Sequence, residues 1–201
     1  KMVPWLLFVS LLLLCLVILL VFVSDNTIPD EKTFSAIAPH RTNGLTEFMK
    51  GVSFLGNHQF LTPANLLFVA YFIWQKKKWT AITTAVVAFS SLGVMSLLKN
   101  MIGRHRPADS LVHGVTNFSF PSGHAFMSVA FYGLLIVWAM TAIKNKWQQQ
   151  ATIALFVLLI LLIGFSRIYL RLHYTTDVIA GFCIGTIWLI TSLWVMNKIQ
   201  Q

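Results

Sequence analysis

Apolar runs long enough to cross a lipid bilayer recur along this chain, and short polar segments separate them. The first run covers residues 3–23, and a transmembrane helix requires about 20 predominantly apolar residues. The predicted spans are approximately residues 3–23, 59–74, 80–101, 122–143, 151–169 and 176–196. We therefore predict an all-α integral membrane bundle of six transmembrane helices, forming a single domain over residues 1–201.

Residues 24–43, which follow the first span, are polar and are predicted to form a loop. A short amphipathic segment then precedes the second span. Its apolar residues recur at helical spacing, whereas Glu47 and Lys50 fall outside that stripe, and Gly56 ends the pattern. The apolar positions are Leu45, Phe48, Met49, Val52 and Leu55. The pattern predicts a short helix over residues 44–55, either lying in the membrane interface or packed as a cap on the bundle.

Composition supports a membrane protein with an anionic partner. The chain is 57% hydrophobic and 10% charged, whereas soluble domains carry about 25% charged residues. Its formal net charge of +9 favours anionic lipid surfaces or an anionic substrate. Nucleic acid is not an expected partner, because no basic run is interleaved with aromatic residues on a soluble face. Cys15 and Cys183 lie inside apolar runs without metal-binding spacing.

The lysines between the spans predict the orientation of the bundle. With a cytoplasmic N-terminus, the short loops and tails that contain lysine and no acidic residue face the cytoplasm, as the positive-inside rule expects. These lysines are Lys1, Lys76, Lys77, Lys78, Lys144, Lys146 and Lys198. Total Lys and Arg counts on the two sides, seven and eight, do not decide by themselves. We predict a multi-pass cell-membrane protein with both termini cytoplasmic and the other polar segments extracytoplasmic.

A polar stretch at residues 166–177 lies between the last two apolar runs. His173 and Asp177 are four residues apart, so on a helix they share a face. A carboxylate placed there can accept the proton of one imidazole nitrogen and orient the other as a nucleophile or base. Ionisable residues at such a boundary indicate a functional site. The stretch taken alone is equally compatible with a polar helix cap at the lipid headgroups.

Three polar segments fall on the same predicted side of the membrane and together provide groups that bind phosphate. Lys99, Arg106 and Arg167 bring positive charges that repel one another unless an anion lies between them. Guanidinium groups match phosphate with paired hydrogen bonds. Ser122 and Gly123 begin the fourth span, and a helix N-terminus offers free backbone N–H groups to an anion.

The same segments contain two histidines, His124 and His173, which suit phosphoryl transfer without a metal. One histidine attacks phosphorus and the other protonates the leaving oxygen, while the cations and backbone donors hold the remaining oxygens. The residues themselves leave open which histidine attacks, apart from the spacing of His173 and Asp177. The sequence offers no cluster of acidic residues for Mg²⁺, so no metal and no cofactor is expected.

The three segments resemble a complete three-part family motif. The matching elements are Lys99-x6-Arg106-Pro107, Pro121-Ser122-Gly123-His124 and Ser166-Arg167-x5-His173-x3-Asp177. In this order they resemble the type 2 phosphatidic acid phosphatase (PAP2) superfamily, which includes membrane lipid phosphatases, glucose-6-phosphatase and soluble vanadium haloperoxidases. The motifs cover residues 99–177, and the six-helix layout extends the likeness to most of the chain.

The resemblance implies a role for each motif residue. His173 is implied to be the nucleophile that becomes phosphohistidine, Asp177 to orient it, and His124 to protonate the leaving group and then activate water. The implied phosphate-binding residues are Lys99, Arg106, Ser122, Gly123 and Arg167. Arg104 and His105, beside the first motif, are further candidates for contact with a second phosphate or a headgroup.

The resemblance also implies the substrate class. We expect a membrane lipid phosphate or diphosphate whose tail stays in the bilayer, with undecaprenyl diphosphate favoured over phosphatidylglycerol phosphate. Two alternatives remain: a phosphotransferase that passes the phosphoryl group to a lipid or sugar acceptor, and a non-catalytic lipid-binding protein. No obligate protein partner is expected, and the predicted spans exclude a soluble haloperoxidase.

Overall fold

The computed structural model of the chain describes residues 2–23, 27–112 and 114–201. Lys1, which contributed to the predicted orientation, lies outside these residues. In the described part, regular structure is helical throughout. The α-helices are α1 (Met2–Ile18), α2 (Ile28–Ile37), α3 (Asn43–Phe54), α4 (His58–Trp74), α5 (Lys78–Ile102), α6 (Gly123–Ala142), α7 (Lys146–Tyr169) and α8 (Thr175–Ile199). A π-helical segment, Leu19–Val23, continues α1.

Five helical segments are long and apolar enough to cross a membrane among the described residues, compared with the six spans predicted. They are Val3–Val23 and the helices α5, α6, α7 and α8. The remaining predicted span corresponds to α4, which has 17 residues. At 1.5 Å per residue this helix is about 25 Å long, less than the roughly 30 Å of a bilayer core. The sixth span therefore stays a prediction.

Local sequence explains where the long helices begin and end. The Asn145 side chain accepts hydrogen bonds from the backbone N–H groups of Trp147 (3.0 Å) and Gln148 (3.2 Å). This cap starts α7 at Lys146, earlier than the apolar run alone indicates. At the C-terminal end of α5, Gly103 has a φ of 69°. Glycine adopts this conformation without a steric penalty, and it commonly ends helices.

Helix α6 lies at the centre of the bundle, packed against α5, α7 and α8, while α1 covers the other side of α8. The α6–α8 contact is unusually close at Gly181. A Cβ atom at this position would stand 2.6 Å from the Ser122 carbonyl oxygen and 2.9 Å from Ala125 Cβ. Glycine therefore lets the start of α6 approach the second turn of α8, close to where the second motif begins and the third motif ends.

Two shorter helices cover one end of the bundle. Residues 24–43 were predicted as a loop, but part of this segment forms α2, whose Phe34 is buried. The predicted helix over residues 44–55 is present as α3, and its Met49 and Val52 are buried, with α3 packed against α7. This packing fits the interpretation of α3 as a cap, while its location in the membrane interface stays a prediction.

Candidate active site

A cavity of about 860 Å³ opens at the end of the bundle where α5 ends, α6 begins and α7 turns into α8. Six of the residues predicted for the site line it: Lys99, Arg106, Gly123, His124, Arg167 and His173. Its walls also include residues of α3 and of the turn between α3 and α4. The three sequence motifs, separated by up to 78 positions, thus meet around one space.

His173 lies in the tight turn between α7 and α8. The backbone N–H groups of Leu172 and His173 donate to the carbonyl oxygen of Arg167 at 3.0 and 3.2 Å, and Arg171 adopts a φ of 52°. This folded turn leaves His173 only 1% exposed. Its Nε2 atom lies 3.2 Å from a terminal nitrogen of Arg106, and its Nδ1 lies 3.3 Å from Ser119 Oγ.

Asp177 is completely buried beside His173 and is held at both oxygens. Its Oδ2 accepts hydrogen bonds from Ser119 Oγ (2.5 Å) and from the backbone N–H of Tyr174 (2.9 Å). Its Oδ1 accepts from Arg104 at 2.6 Å. The distance from Oδ2 to His173 Nδ1 is 3.7 Å, so Ser119 Oγ, close to both groups, bridges the pair in this structure.

The three predicted cations are fixed by the loop and helices around the cavity. Lys99 donates to the carbonyl oxygen of Phe118 at 2.5 Å. Arg106 donates through Nε to the carbonyl oxygen of Asn117 at 2.8 Å and also contacts the carbonyl of Leu172. Arg167, 6% exposed, donates to Ser53 Oγ on α3 at 2.5 Å.

Two buried polar atoms at the site have no hydrogen-bond partner within the described part of the chain: Arg167 Nε and Ser122 Oγ. Leaving such groups unpaired is costly in a folded protein. Both belong to the set predicted to bind phosphate, and Ser122 immediately precedes the first turn of α6. The arrangement is therefore suited to an anion that would accept from these donors and from the free N–H groups of the helix terminus.

Electrostatics favour an uncharged imidazole at His173. Burial, followed by the positive charges of Arg167, Arg106 and Lys99, holds the pKa of His173 well below its ordinary value of 6.5. Burial also lowers the pKa of Arg106 below its ordinary value, with Asp177 acting in the opposite direction. A neutral imidazole keeps the lone pair that nucleophilic attack requires, so the surroundings of His173 suit a nucleophile.

Arg104 and His105 are placed differently from the prediction of headgroup contact. Neither residue lines the cavity. The Arg104 guanidinium is occupied by two buried carboxylates, those of Asp30 (3.2 Å) and Asp177 (2.6 Å). His105 is exposed and packs edge-on against Phe118. The two carboxylates neutralise the charge of the half-buried Arg104 and accept its hydrogen bonds. Arg104 therefore lies behind the cavity wall, beside Asp177, and not in contact with the cavity.

Sequence reasoning missed several residues that shape the site. Ser53, Asn117 and Ser119 contact motif residues, and Asp30 contacts Arg104, yet all four lie in segments without a recognisable local motif. Ser119 stands two positions before Pro121, and only this proximity to a motif could have drawn attention to it. Among the described residues, no group of three His, Cys, Asp or Glu side chains is arranged to hold a metal ion.

The sequence profile of the PAP2 superfamily matches residues 78–201, which include all three motifs. The chain belongs to the PAP2 superfamily. It is 30% identical to the phosphatidylglycerophosphatase B of Bacillus subtilis over 158 residues, covering 78% of this chain and 77% of that protein. It is also 27% identical to an undecaprenyl-diphosphatase of Sulfolobus acidocaldarius, covering 98% and 95% of the two chains.

The fold agrees with this membership. The crystal structure of a transmembrane PAP2-type phosphatidylglycerolphosphate phosphatase from Bacillus subtilis superposes with a TM-score of 0.84 and 25% identity. The match covers 98% of this chain and 96% of that one. Together with the apolar helices, these similarities make this PAP2 chain a multi-pass membrane protein and a phosphatase of the lipid phosphatase family.

Proposed function

We propose that this PAP2 phosphatase removes the terminal phosphate from a lipid diphosphate through a phosphohistidine at His173. The observation that carries the proposal is the convergence of three cations, an open helix N-terminus and a buried histidine with a lowered pKa on one cavity. Each element is needed for phosphoryl transfer: the cations bind the anion, the backbone donors hold its oxygens, and the imidazole attacks.

The proposed reaction has two steps. In the first, His173 Nε2 bonds to phosphorus and the bond between phosphorus and the leaving lipid oxygen breaks, with His124 donating a proton to that oxygen. In the second, His124 accepts a proton from water, whose oxygen attacks phosphorus, and the P–N bond breaks to release inorganic phosphate. Asp177, through Ser119, keeps the imidazole oriented throughout.

The phosphoryl oxygens are proposed to lie among the side chains of Lys99, Arg106 and Arg167 and the start of α6. Ser122 Oγ and Arg167 Nε, which have no protein partner in the described chain, would donate to them. These cations supply the positive charge that a metal provides in other phosphatases. We therefore propose a reaction independent of metal ions and of any cofactor.

A substrate with more than one phosphate is supported by a further cation. Lys50 on α3 lines the same cavity as the three predicted cations, with its ammonium paired to Glu47 at 2.7 Å. We favour a polyprenyl diphosphate such as undecaprenyl diphosphate, because the Sulfolobus undecaprenyl-diphosphatase matches nearly the whole chain. Phosphatidylglycerol phosphate is the second candidate, supported by the Bacillus phosphatase, which has the higher identity and a closely similar fold.

The membrane arrangement is part of the proposal. The cavity lies at the end of the bundle opposite to Lys76, Lys77 and Lys144, since α4, α5 and α6 run alternately between these lysines and the site. The positive-inside rule then places the site on the extracytoplasmic side. In this arrangement α4 completes six spans, both termini face the cytoplasm, and α3 lies at the membrane interface.

The test is phosphate release from a panel of lipids, in detergent and in bilayers. The panel contains undecaprenyl diphosphate, phosphatidylglycerol phosphate, phosphatidic acid and diacylglycerol pyrophosphate. We expect release from undecaprenyl diphosphate, unchanged by EDTA and inhibited by vanadate. Loss of activity on chelation would refute the metal-independent reaction, and preference for phosphatidylglycerol phosphate would select the second substrate.

The same assay separates the proposal from its alternatives. A phosphotransferase would label an added lipid or sugar acceptor while releasing little inorganic phosphate. A non-catalytic lipid-binding protein would retain the lipid without turnover. Measuring acceptor label and free phosphate in one reaction therefore distinguishes all three.

A further inference from the structure

A second carboxylate, Asp30, is completely buried close to the catalytic pair. It belongs to the first turn of α2, in a segment that the sequence did not connect with the site. Its Oδ1 accepts the backbone N–H of Thr176 at 3.0 Å, and its Oδ2 accepts the Thr176 hydroxyl at 2.7 Å. Burying a carboxylate is costly unless it is paired and hydrogen-bonded, and Asp30 meets both conditions.

Arg104 joins this carboxylate to Asp177. One terminal nitrogen lies 3.2 Å from Asp30 Oδ2, and the other donates to Asp177 Oδ1 at 2.6 Å and to the Thr176 hydroxyl at 2.8 Å. The guanidinium also lies over the Tyr174 ring, 4.2 Å from its centroid. A planar group fixed on three sides has little freedom to rotate, so it holds Asp177 Oδ1 in one place.

The position of Asp177 Oδ1 determines how the carboxylate meets the proposed nucleophile, His173. With Oδ1 bound by Arg104, the Asp177 carboxylate presents Oδ2 to Ser119 and His173. Without Arg104 the carboxylate could turn about its last bond, and Oδ2 would no longer be fixed beside the imidazole. Asp30 in turn holds Arg104 and the first turn of α8, where a carboxylate is favoured by the helix dipole.

We propose that Asp30 and Arg104 are positioning residues, which fix the Asp177 carboxylate and thereby orient His173 for attack. Neither side chain lines the cavity, so neither contacts the substrate. The inference rests on the proposed function for its catalytic consequence. It makes α2 part of the catalytic architecture, although α2 carries none of the family motifs.

The test compares Asp30→Asn, Arg104→Gln and the double variant with wild type, using the proposed lipid diphosphate as substrate. We expect each single variant to lower kcat on the order of 10- to 100-fold, as small displacements of catalytic groups do, with KM within about twofold. The double variant should be little worse than Arg104→Gln alone, because residues acting through one network are not additive. Glu31→Gln, an exposed neighbour of Asp30 on α2, is the matched control and should keep wild-type kcat.

A second readout needs no substrate. Diethyl pyrocarbonate modifies neutral imidazole, and mass spectrometry of the His173 peptide gives the rate of modification. We expect a severalfold slower rate in Asp30→Asn and Arg104→Gln than in wild type and Glu31→Gln. If wild type releases phosphate from no lipid while this rate still changes, the positioning role stands and the proposed function fails.

The proposal is overturned if both single variants keep kcat and the His173 modification rate within about twofold of wild type. It is equally overturned if KM rises while kcat is unchanged, because that result indicates substrate contact. Thermal unfolding in detergent identifies any variant that does not fold. Arg104→Lys then decides, since it keeps the charge but lacks the planar fork that holds the Asp30 and Asp177 carboxylates in one arrangement; it should show the same fall in kcat.

Discussion

The surroundings of His173 determine how the protein should respond to pH. Burial and the charges of Arg167, Arg106 and Lys99 lower its pKa, so the proton binds only at lower pH than usual. The neutral imidazole, the form that the proposed nucleophile requires, should therefore persist as the pH falls from about 7 to about 6, where an ordinary histidine becomes charged. Titration of the His173 ring by NMR in the free protein, assigned with His173→Gln, measures this. A midpoint at or above 6.5 would contradict the account.

Asp177 should contribute to the rate of reaction far more than to binding. In the proposed reaction the charge of Asp177 stabilises the histidine cation. Asp177→Asn keeps the shape but removes this charge, so kcat should fall on the order of 10²–10⁴, by analogy with other His–Asp pairs. KM should change little, because Asp177 does not line the cavity. Steady-state kinetics give kcat and KM for Asp177→Asn and for the control Asp109→Asn, which changes an exposed carboxylate. Equal effects of the two substitutions would show that Asp177 has no special role.

At the residue scale, the sequence predicts what local motifs encode and misses what the fold brings together. His173, His124 and the three cations could be identified because each lies in a spaced pattern. Asp30 could not, since its contact with Thr176 spans 146 positions. Arg104 was a candidate for contact with a second phosphate or a headgroup because its charge is visible in the sequence, whereas its pairing with the buried Asp30 and Asp177 is not.

At the scale of elements, the sequence gives long apolar helices more clearly than short ones. Residues 24–43 were interpreted as a loop because their polar composition hides α2, a helix of ten residues. The signals of a helix start were present: Pro29 in the first turn, followed by Asp30 and Glu31, which favour a helix N-terminus. The amphipathic pattern of α3 was long enough to be recognised.

The close contact between α6 and α8 offers a test at the same scale. Gly181→Ala would place a Cβ 2.6 Å from the Ser122 carbonyl oxygen, a backbone atom that cannot turn away. The helices must separate, which should destabilise the protein by about 1–3 kcal/mol and misalign the start of α6 with His173. We expect a lower unfolding temperature in detergent and reduced kcat.

The matched control for this substitution is Gly93→Ala on α5. An added Cβ there meets nothing within 4 Å, so no overpacking is expected. If Gly181→Ala unfolds at the same temperature as Gly93→Ala and keeps its kcat, the tight α6–α8 contact is not required.

For the whole molecule, composition and apolar runs predicted an all-helical membrane protein, and the three motifs resembled those of the PAP2 superfamily. The fold and the family comparison confirm the helical class and the superfamily. The number of spans is harder to predict than the helical class, because it depends on one short helix. Helix α4 is too short to cross an average bilayer without local thinning or help from its flanking residues. Orientation depends on which side the lysine loops occupy, which no intramolecular contact reveals.

The predicted orientation can be measured by cysteine labelling. In a background with Cys15 and Cys183 replaced by alanine, single cysteines are introduced at Asp109, beside the site, and at Lys77, between α4 and α5. A membrane-impermeant thiol reagent added to intact cells should label Asp109→Cys and not Lys77→Cys, because the lysine loop is predicted to be cytoplasmic. The reverse pattern would place the site in the cytoplasm.

The central claim, that His173 is the nucleophile of a lipid phosphatase, is tested most directly by one rate. This is the initial rate of phosphate release from undecaprenyl diphosphate by His173→Gln, compared with the rates of wild type and of His40→Gln, a control at an exposed residue. We expect wild type and His40→Gln to release phosphate at similar rates and His173→Gln to release none above background. Near wild-type release by a folded His173→Gln would contradict the claim.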